Sequence, residues 1–215
     1  MGSGRGQSLR KGRRKGFRRQ IGLDRSGPPP RQTRPGQPLR PWTVPNAVGY
    51  LRLAGLPVFL YLAFSSGDGR DPWAAAIFWL IAVGDYVDGF LARATGQYSR
   101  MGAILDPIVD RLTILSGVVV CWHFELLPRW ALALLVAREL VTAVLAEVAL
   151  RRIGELKVNW LGRIAVAPVM ASLFFAMVSD SWVWSAMLIV GVALGILGTI
   201  AYVRTGMKEL AAQGA

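Results

Sequence analysis

Gly84-Asp85-Tyr86-Val87-Asp88-Gly89-Phe90-Leu91-Ala92-Arg93, followed after eight intervening residues by Gly102-Ala103-Ile104-Leu105-Asp106-Pro107-Ile108-Val109-Asp110-Arg111, puts four carboxylates into two otherwise apolar segments. Asp85 and Asp88 are spaced i, i+3, and Asp106 and Asp110 are spaced i, i+4, so each pair shares one face of a helix. The first segment ends one apolar run and the second begins the next. Their short connection makes an antiparallel hairpin, which brings both pairs to one end.

The surrounding chain is built for a bilayer. Of 215 residues, 53% are hydrophobic and 18% charged, and the mean hydropathy is +0.39. From Asn46 onward the hydropathy predicts six spans, at 46–65, 71–92, 104–123, 129–150, 162–179 and 182–203. Each is close to the ~20 residues that cross a hydrocarbon core. The expected fold is therefore an all-α membrane protein, a six-transmembrane-helix bundle. Trp42, Trp73, Trp122, Trp130, Trp160 and Trp182 fall at the proposed span ends, where amphipathic rings favour the headgroup region.

Charge is concentrated before the first span. Twelve of the 25 basic residues precede Trp42, against one acid, Asp24, and the rest of the chain is nearly neutral. Residues 1–41 mix Arg and Lys with Gly, Pro, Ser and Gln and hold no apolar run able to offset the entropy of ordering. They are expected to form a disordered basic arm on the cytoplasmic side, preceding a domain at 42–205 and a short cytoplasmic tail at 206–215. The arm lacks the apolar core of a signal peptide. Beside a membrane it is read as meeting anionic lipid headgroups rather than nucleic acid. A cytoplasmic arm puts Arg93, Arg100, Arg151, Arg152, Lys157, Arg204 and Lys208 on the same side, with Arg70 and Arg129 opposite, so both termini are expected inside.

The single cysteine, Cys121, permits no internal disulfide and is read as a buried apolar residue. The single histidine, His123, sits between Trp122 and Phe124 near a span end and receives no catalytic role.

Four acids gathered in an apolar setting cannot all remain ionised unaided; they need protons or bound cations. Oxygen ligands without His or Cys select Mg²⁺ or Mn²⁺, and two carboxylate-bridged ions are a recurrent device for stabilising charge on a transferring phosphoryl group. Gly89 leaves room for a ligand to approach the backbone, and Arg93 can pair with phosphate oxygens. The structural alternative is that the acids are ion-paired with Arg93, Arg111 and Arg138 to hold the bundle together. An ion-coupled transporter is the functional alternative, since intramembrane acids also mark ion pathways. A site at one membrane face rather than the midplane favours an enzyme.

The pattern Asp85-x2-Asp88-Gly89-x2-Ala92-Arg93-x8-Gly102-x3-Asp106-x3-Asp110 resembles, at every fixed position, the signature of the CDP-alcohol phosphatidyltransferases. The similarity extends over about 42–205, including Thr43-Val44-Pro45-Asn46 and Arg52. The resemblance implies a dimeric six-helix membrane enzyme in which Asp85, Asp88, Asp106 and Asp110 hold two divalent cations and Asp110 is also the general base. Asn46, Gly89, Arg93 and Ser99 would contact CDP-diacylglycerol. An acceptor hydroxyl would attack the phosphatidyl phosphorus and CMP would leave.

Pro45-Asn46 and Arg138-Glu139 are similar to the branch holding phosphatidylglycerophosphate synthases and CDP-dependent cardiolipin synthases. Two positions depart from the first of these. Ile108-Val109-Asp110-Arg111 stands where those synthases commonly read Ala-Asp-Lys, and Gly162-Arg163-Ile164-Ala165-Val166 replaces Gly-Lys-x-Lys-Thr. Fewer cations suit a lipid acceptor with one phosphodiester charge, so phosphatidylglycerol is favoured over glycerol 3-phosphate. Arg111, Arg138, Arg151, Arg152, Lys157 and Arg163 are the candidate acceptor-facing cations. The abundance of Arg, Ala and Gly points to a bacterial plasma membrane, with the mitochondrial inner membrane as the alternative.

Overall fold

A computed structural model of the chain describes residue 33, residues 36–152 and residues 160–213. Six helices run through it: α1 Val44–Ser65, α2 Pro72–Thr95, α3 Arg100–His123, α4 Arg129–Arg152, α5 Trp160–Ala176 and α6 Trp182–Gln213. Among the described residues there is no strand. The expected arm before residue 33, residues 34 and 35, and Lys157 lie outside the described set.

Local chemistry sets most helix starts. Asp71 precedes α2 and its Oδ1 accepts a hydrogen bond from Ala74 N at 2.6 Å. Pro72 at the first helical position loses nothing, because its missing N–H would have had no helical partner. Ser99 caps α3 in the same way, its Oγ accepting from Gly102 N at 2.9 Å. Between α2 and α3 the chain turns at Gly96, whose φ of 66° lies in the left-handed region that glycine enters without a Cβ clash. Pro57, Pro107 and Pro168 lie inside α1, α3 and α5, as helices in apolar surroundings tolerate when neighbouring groups take up the freed carbonyls.

Three helices, Val44–Ser65, Pro72–Thr95 and the Trp182–Arg204 part of α6, are long and apolar enough to cross a membrane. Helices α3 and α4 have the length, 24 residues each, but carry charge along it. The apolar part of α5, Ile164–Ala176, is shorter. Large apolar side chains remain exposed along the helices, among them Leu51 and Tyr61 on α1, Leu80 on α2, Val119 on α3, Leu140 on α4 and Leu197 on α6. In water such a surface would drive association, whereas lipid is the solvent that matches it.

The chain divides into two compact units. One comprises residues up to Gly55 together with Leu80–Asp110, and so contains all four aspartates. The other comprises Leu56–Trp79 and everything from Arg111 onward. In this second unit Phe59 packs on Phe78 with ring centroids 5.2 Å apart, over a core that includes Val120, Leu132, Leu135, Leu173 and Leu188. Helices α5 and α6 pack most extensively, and α4 also meets α6. Helices α5 and α6 come close at Gly191, where a Cβ would lie 2.7 Å from Val169 Cγ2 and 3.0 Å from the Val169 backbone nitrogen. His123 makes edge-on ring contacts with Phe64 and Phe124, and Cys121 is buried, in keeping with structural roles for both.

Candidate active site

In the first unit the C-terminal turns of α2 and the N-terminal turns of α3 bring the four aspartates into one cluster. The group at its centre comes from α1. Arg52 is buried, with 4% of its side chain exposed, and its guanidinium forks across both helices. Nη1 donates to Asp88 Oδ2 at 2.9 Å and reaches Asp85 Oδ1 at 3.5 Å, and Nη2 donates to Asp110 Oδ1 at 2.7 Å. Nε donates to the Ile81 carbonyl at 2.9 Å. Asp110 also faces Asp85 within hydrogen-bonding reach, and Asp106 stands within electrostatic range of the other three aspartates. Their environments differ: 5% of the Asp88 side chain is exposed, against 51% for Asp85 and 45% for Asp110.

These facts change the structural alternative considered from sequence. The acids are ion-paired with Arg52, a cation outside the expected set of Arg93, Arg111 and Arg138. Arg138 instead pairs with its neighbour Glu139 and lies against Gly195 of α6, where a Cβ would come within 3.0 Å of its Nε. Among the described residues that Nε has no hydrogen-bond partner. Arg111 follows Asp110 on α3 but belongs to the second unit. Arg163 falls within α5, with its side chain outside the described set, and Lys157 is outside it altogether.

The positions expected to meet the CDP-lipid fall into two groups. Asn46 and Ser99 are buried and bonded to each other, Ser99 Oγ donating to Asn46 Oδ1 at 2.9 Å. Asn46 Nδ2 donates to the carbonyls of Arg40 and Pro41 at 3.1 and 3.0 Å. A Cβ on Gly102 would fall 2.8 Å from Asn46 Oδ1, so this glycine admits the asparagine. The second group is Gly89 and Arg93. The space over Gly89, read from sequence as room for a ligand, is taken by Arg93, whose Nη1 would lie 3.2 Å from an added Cβ.

Residues 37–41 are tied into the same region. Met101 N donates to Leu39 O at 3.0 Å and Arg100 Nη1 to Gln37 O at 3.4 Å. The segment just before the expected domain start at 42 thus braces the first turns of α1 and α3.

The donor set fits a hard divalent cation. All four acids offer carboxylate oxygen, two of the carboxyls face each other, and two are half-open to their surroundings. Among the described residues no three acid groups converge on a single ligand point. The fit is one of donor chemistry and clustered like charge.

Arg52 lies 33 to 58 residues from its acids in the sequence, so no local spacing ties it to them. The available signal was a lone cation in the interior of an apolar span, which by itself marks a functional position.

Residues 42–197 match the sequence model of the CDP-alcohol phosphatidyltransferases. A cardiolipin synthase (CMP-forming) of Streptomyces coelicolor is 38% identical over 172 residues, which cover 77% of this chain and 80% of the relative. A probable phosphatidylglycerophosphate synthase of Mycobacterium tuberculosis is 31% identical over 173 residues, covering 77% and 82%. A CDP-diacylglycerol--glycerol-3-phosphate 3-phosphatidyltransferase of Shigella flexneri is 28% identical over 181 residues, covering 79% and 97%. The transporter reading falls away with these matches. Four aspartates on two adjoining helix ends, in a chain matched to one enzyme family over most of its length, establish that the protein belongs to the CDP-alcohol phosphatidyltransferase family.

Proposed function

We propose that this enzyme transfers the phosphatidyl group of CDP-diacylglycerol to phosphatidylglycerol, forming cardiolipin and releasing CMP. The observation that carries the chemistry is the gathering of Asp85, Asp88, Asp106 and Asp110 around one buried guanidinium. Members of the family are in general dependent on divalent metal, and these four residues would hold two such ions, Mg²⁺ or Mn²⁺. When bound, the ions supply positive charge to the diphosphate and to the departing CMP.

The protein's own groups divide the remaining work. Asp88 is buried and fixed by Arg52, which suits a ligand and excludes contact with a free-moving acceptor. Asp110 is half-exposed, and its Oδ1 is held at 2.7 Å by Arg52, which orients the carboxylate and leaves it accessible. It takes the proton of the acceptor hydroxyl as that oxygen bonds to the phosphatidyl phosphorus and the bond to the CMP oxygen breaks. Arg93 lies over Gly89 beside the cluster, placed to meet an anionic headgroup. Asn46 and Ser99 serve that site by holding the first turns of α1 and α3 together.

Phosphatidylglycerol is favoured as acceptor on two grounds. Over alignments of nearly equal length, identity is higher to the cardiolipin synthase than to the phosphatidylglycerophosphate synthase, 38% against 31%. The stretch Gly162-Arg163-Ile164-Ala165-Val166 also carries a single cation, which suits a phosphodiester better than a phosphomonoester. Arg111, Arg138, Lys157 and Arg163 are the candidate acceptor contacts.

The same reading includes six spans, both termini and the active site on the cytoplasmic side of a bacterial plasma membrane, and a homodimer. It keeps a basic arm at 1–41 that contacts membrane lipid and whose last residues, 37–41, also brace α1 and α3, a transferase domain at 42–205 and a tail at 206–215. The deciding assay supplies purified protein with CDP-diacylglycerol and Mn²⁺ or Mg²⁺, and offers phosphatidylglycerol and glycerol 3-phosphate separately. CMP release with phosphatidylglycerol, and cardiolipin as the product lipid, is expected. Release with glycerol 3-phosphate alone would transfer the assignment to phosphatidylglycerophosphate synthesis.

A further inference from the structure

A guanidinium that only sets topology belongs at a span end, where water and headgroups solvate it. Arg52 lies inside α1, is almost fully buried, and sits where an intramembrane charge is costly without dedicated partners. Its arm is fixed at three places. Nε is bonded to the Ile81 carbonyl. The stem lies against Gly84, where an added Cβ would fall 2.7 Å from Cδ and 2.8 Å from Cγ. The two terminal nitrogens are committed to acids on different helices, Asp88 on α2 and Asp110 on α3. Only a planar fork of several N–H donors can span both acids while its Nε is also engaged; an ammonium is a single point of charge.

We propose that Arg52 is a positioning residue for phosphatidyl transfer: it sets the spacing and facing of the aspartates on α2 and α3 so that they accept divalent cations. The proposal rests on the reading of those aspartates as the metal and catalytic site. Its opposite has a different sign. Acting only as a countercharge, Arg52 would repel incoming cations, and its removal would tighten their binding. Acting as a template, it keeps mutually repelling carboxylates in register, and its removal weakens binding. One guanidinium cannot neutralise four carboxylates, so the cluster still attracts cations with Arg52 in place.

The test uses the full-length protein in detergent or nanodiscs, with Arg52→Lys, Arg52→Gln and Gly84→Ala variants. Gly84→Ala displaces the arm without deleting the charge. Free Mn²⁺ is followed by electron paramagnetic resonance in the absence of substrate, thermal unfolding reports folding, and CMP release gives kcat and the KM for CDP-diacylglycerol.

Loss of a side chain that orients metal ligands costs about 10- to 100-fold in metal affinity. That loss is expected in Arg52→Gln without rescue in Arg52→Lys, a smaller loss in the same direction is expected in Gly84→Ala, and kcat should fall more than KM changes. Unchanged or tighter Mn²⁺ binding in Arg52→Gln, or full rescue by lysine, would overturn the proposal. Should both Arg52 variants fail to fold, unchanged Mn²⁺ binding and kcat in Gly84→Ala overturns it equally. Wild-type binding indifferent to Asp106→Asn would defeat the parent reading of the aspartates, whereas binding lost in Asp106→Asn but kept in Arg52→Gln defeats the role of Arg52 alone.

Discussion

Asp110→Asn separates chemistry from folding at a single atom. The asparagine Oδ1 can still accept the Arg52 Nη2 hydrogen bond now made at 2.7 Å, and Asp88 still faces the same guanidinium at 2.9 Å. The Asp110 side chain is 45% exposed, so solvent screens part of the lost charge and the fold should persist. What disappears is a group able to take a proton. Positioned general bases contribute about 10²- to 10⁴-fold, which at ~1.36 kcal/mol per decade is about 2.7 to 5.4 kcal/mol of barrier. The amide is also a weaker cation ligand than the carboxylate, so the loss should reach at least this range. CMP release in detergent–lipid micelles, with matched thermal unfolding curves, measures it. The expected pattern is a collapse of kcat with a modest change in KM for CDP-diacylglycerol, as for an interaction made only in the transition state. Turnover within about tenfold of the parent, below what a positioned base contributes, would refute the assignment of Asp110 as base.

Gly191→Ala tests the second unit by stability alone. Its Cβ would meet Val169 Cγ2, the Val169 nitrogen and the Ala165 carbonyl oxygen at 2.7, 3.0 and 3.3 Å, and because two of these are backbone, α5 and α6 must separate, at about 1 to 3 kcal/mol; a melting temperature equal to the parent's would show that this contact is looser than described. Removal of residues 1–35 should leave turnover intact, whereas removal of 1–41 deletes the carbonyls that hold Asn46 Nδ2 and Met101 N and should lower both thermal stability and activity. Equal behaviour of the two truncations in unfolding and CMP-release assays would contradict the bracing role of residues 37–41.

The six helices were legible because their signals are local. Apolar runs of the right length, Asp71-Pro72 and Ser99 at helix starts, and turn residues between them are all contained within windows of a few residues. The ends were less legible where polarity and helicity part company. Hydropathy begins the third span at 104, yet α3 starts at Arg100, because the Ser99 cap governs the helix and not the first apolar side chain. The last span was expected to stop at 203, yet α6 runs to Gln213: Arg204, Lys208 and Glu209 end the apolar run, but Lys208, Glu209, Leu210, Ala211 and Ala212 are good helix formers. Crossing the membrane is a stricter property than helicity, and the charges on α3 and α4 leave them short of the apolarity found in α1, α2 and α6. The two aspartate pairs were visible because i, i+3 and i, i+4 spacings are helix periods. Arg52 shares no such register. It meets its acids across 33 to 58 residues of sequence, and Asn46 meets Ser99 across 53; pairings of that length leave no periodic trace.

The glycines of the signature take on a different meaning once those long-range partners are known. Read locally, a glycine beside an acid suggests room for a bulky ligand. In the folded chain the space at Gly102 admits Asn46 and the space at Gly89 admits Arg93; Gly84, just ahead of the signature, admits the stem of Arg52. Each missing Cβ lets a polar side chain of the protein lie against a helix backbone, where its own polar atoms can be satisfied instead of being stranded in apolar surroundings. An array of acids in a membrane is tolerable only if something holds and partly compensates it before substrate arrives. Here the compensation comes from α1, through a cation held by Gly84, Ile81 and the acids themselves, while Asn46 secures the adjoining helix starts. On the proposed reading the spacing of the aspartates specifies which atoms do the chemistry, and the glycines at 84, 89 and 102 set how closely Arg52, Arg93 and Asn46 approach the helices that carry them.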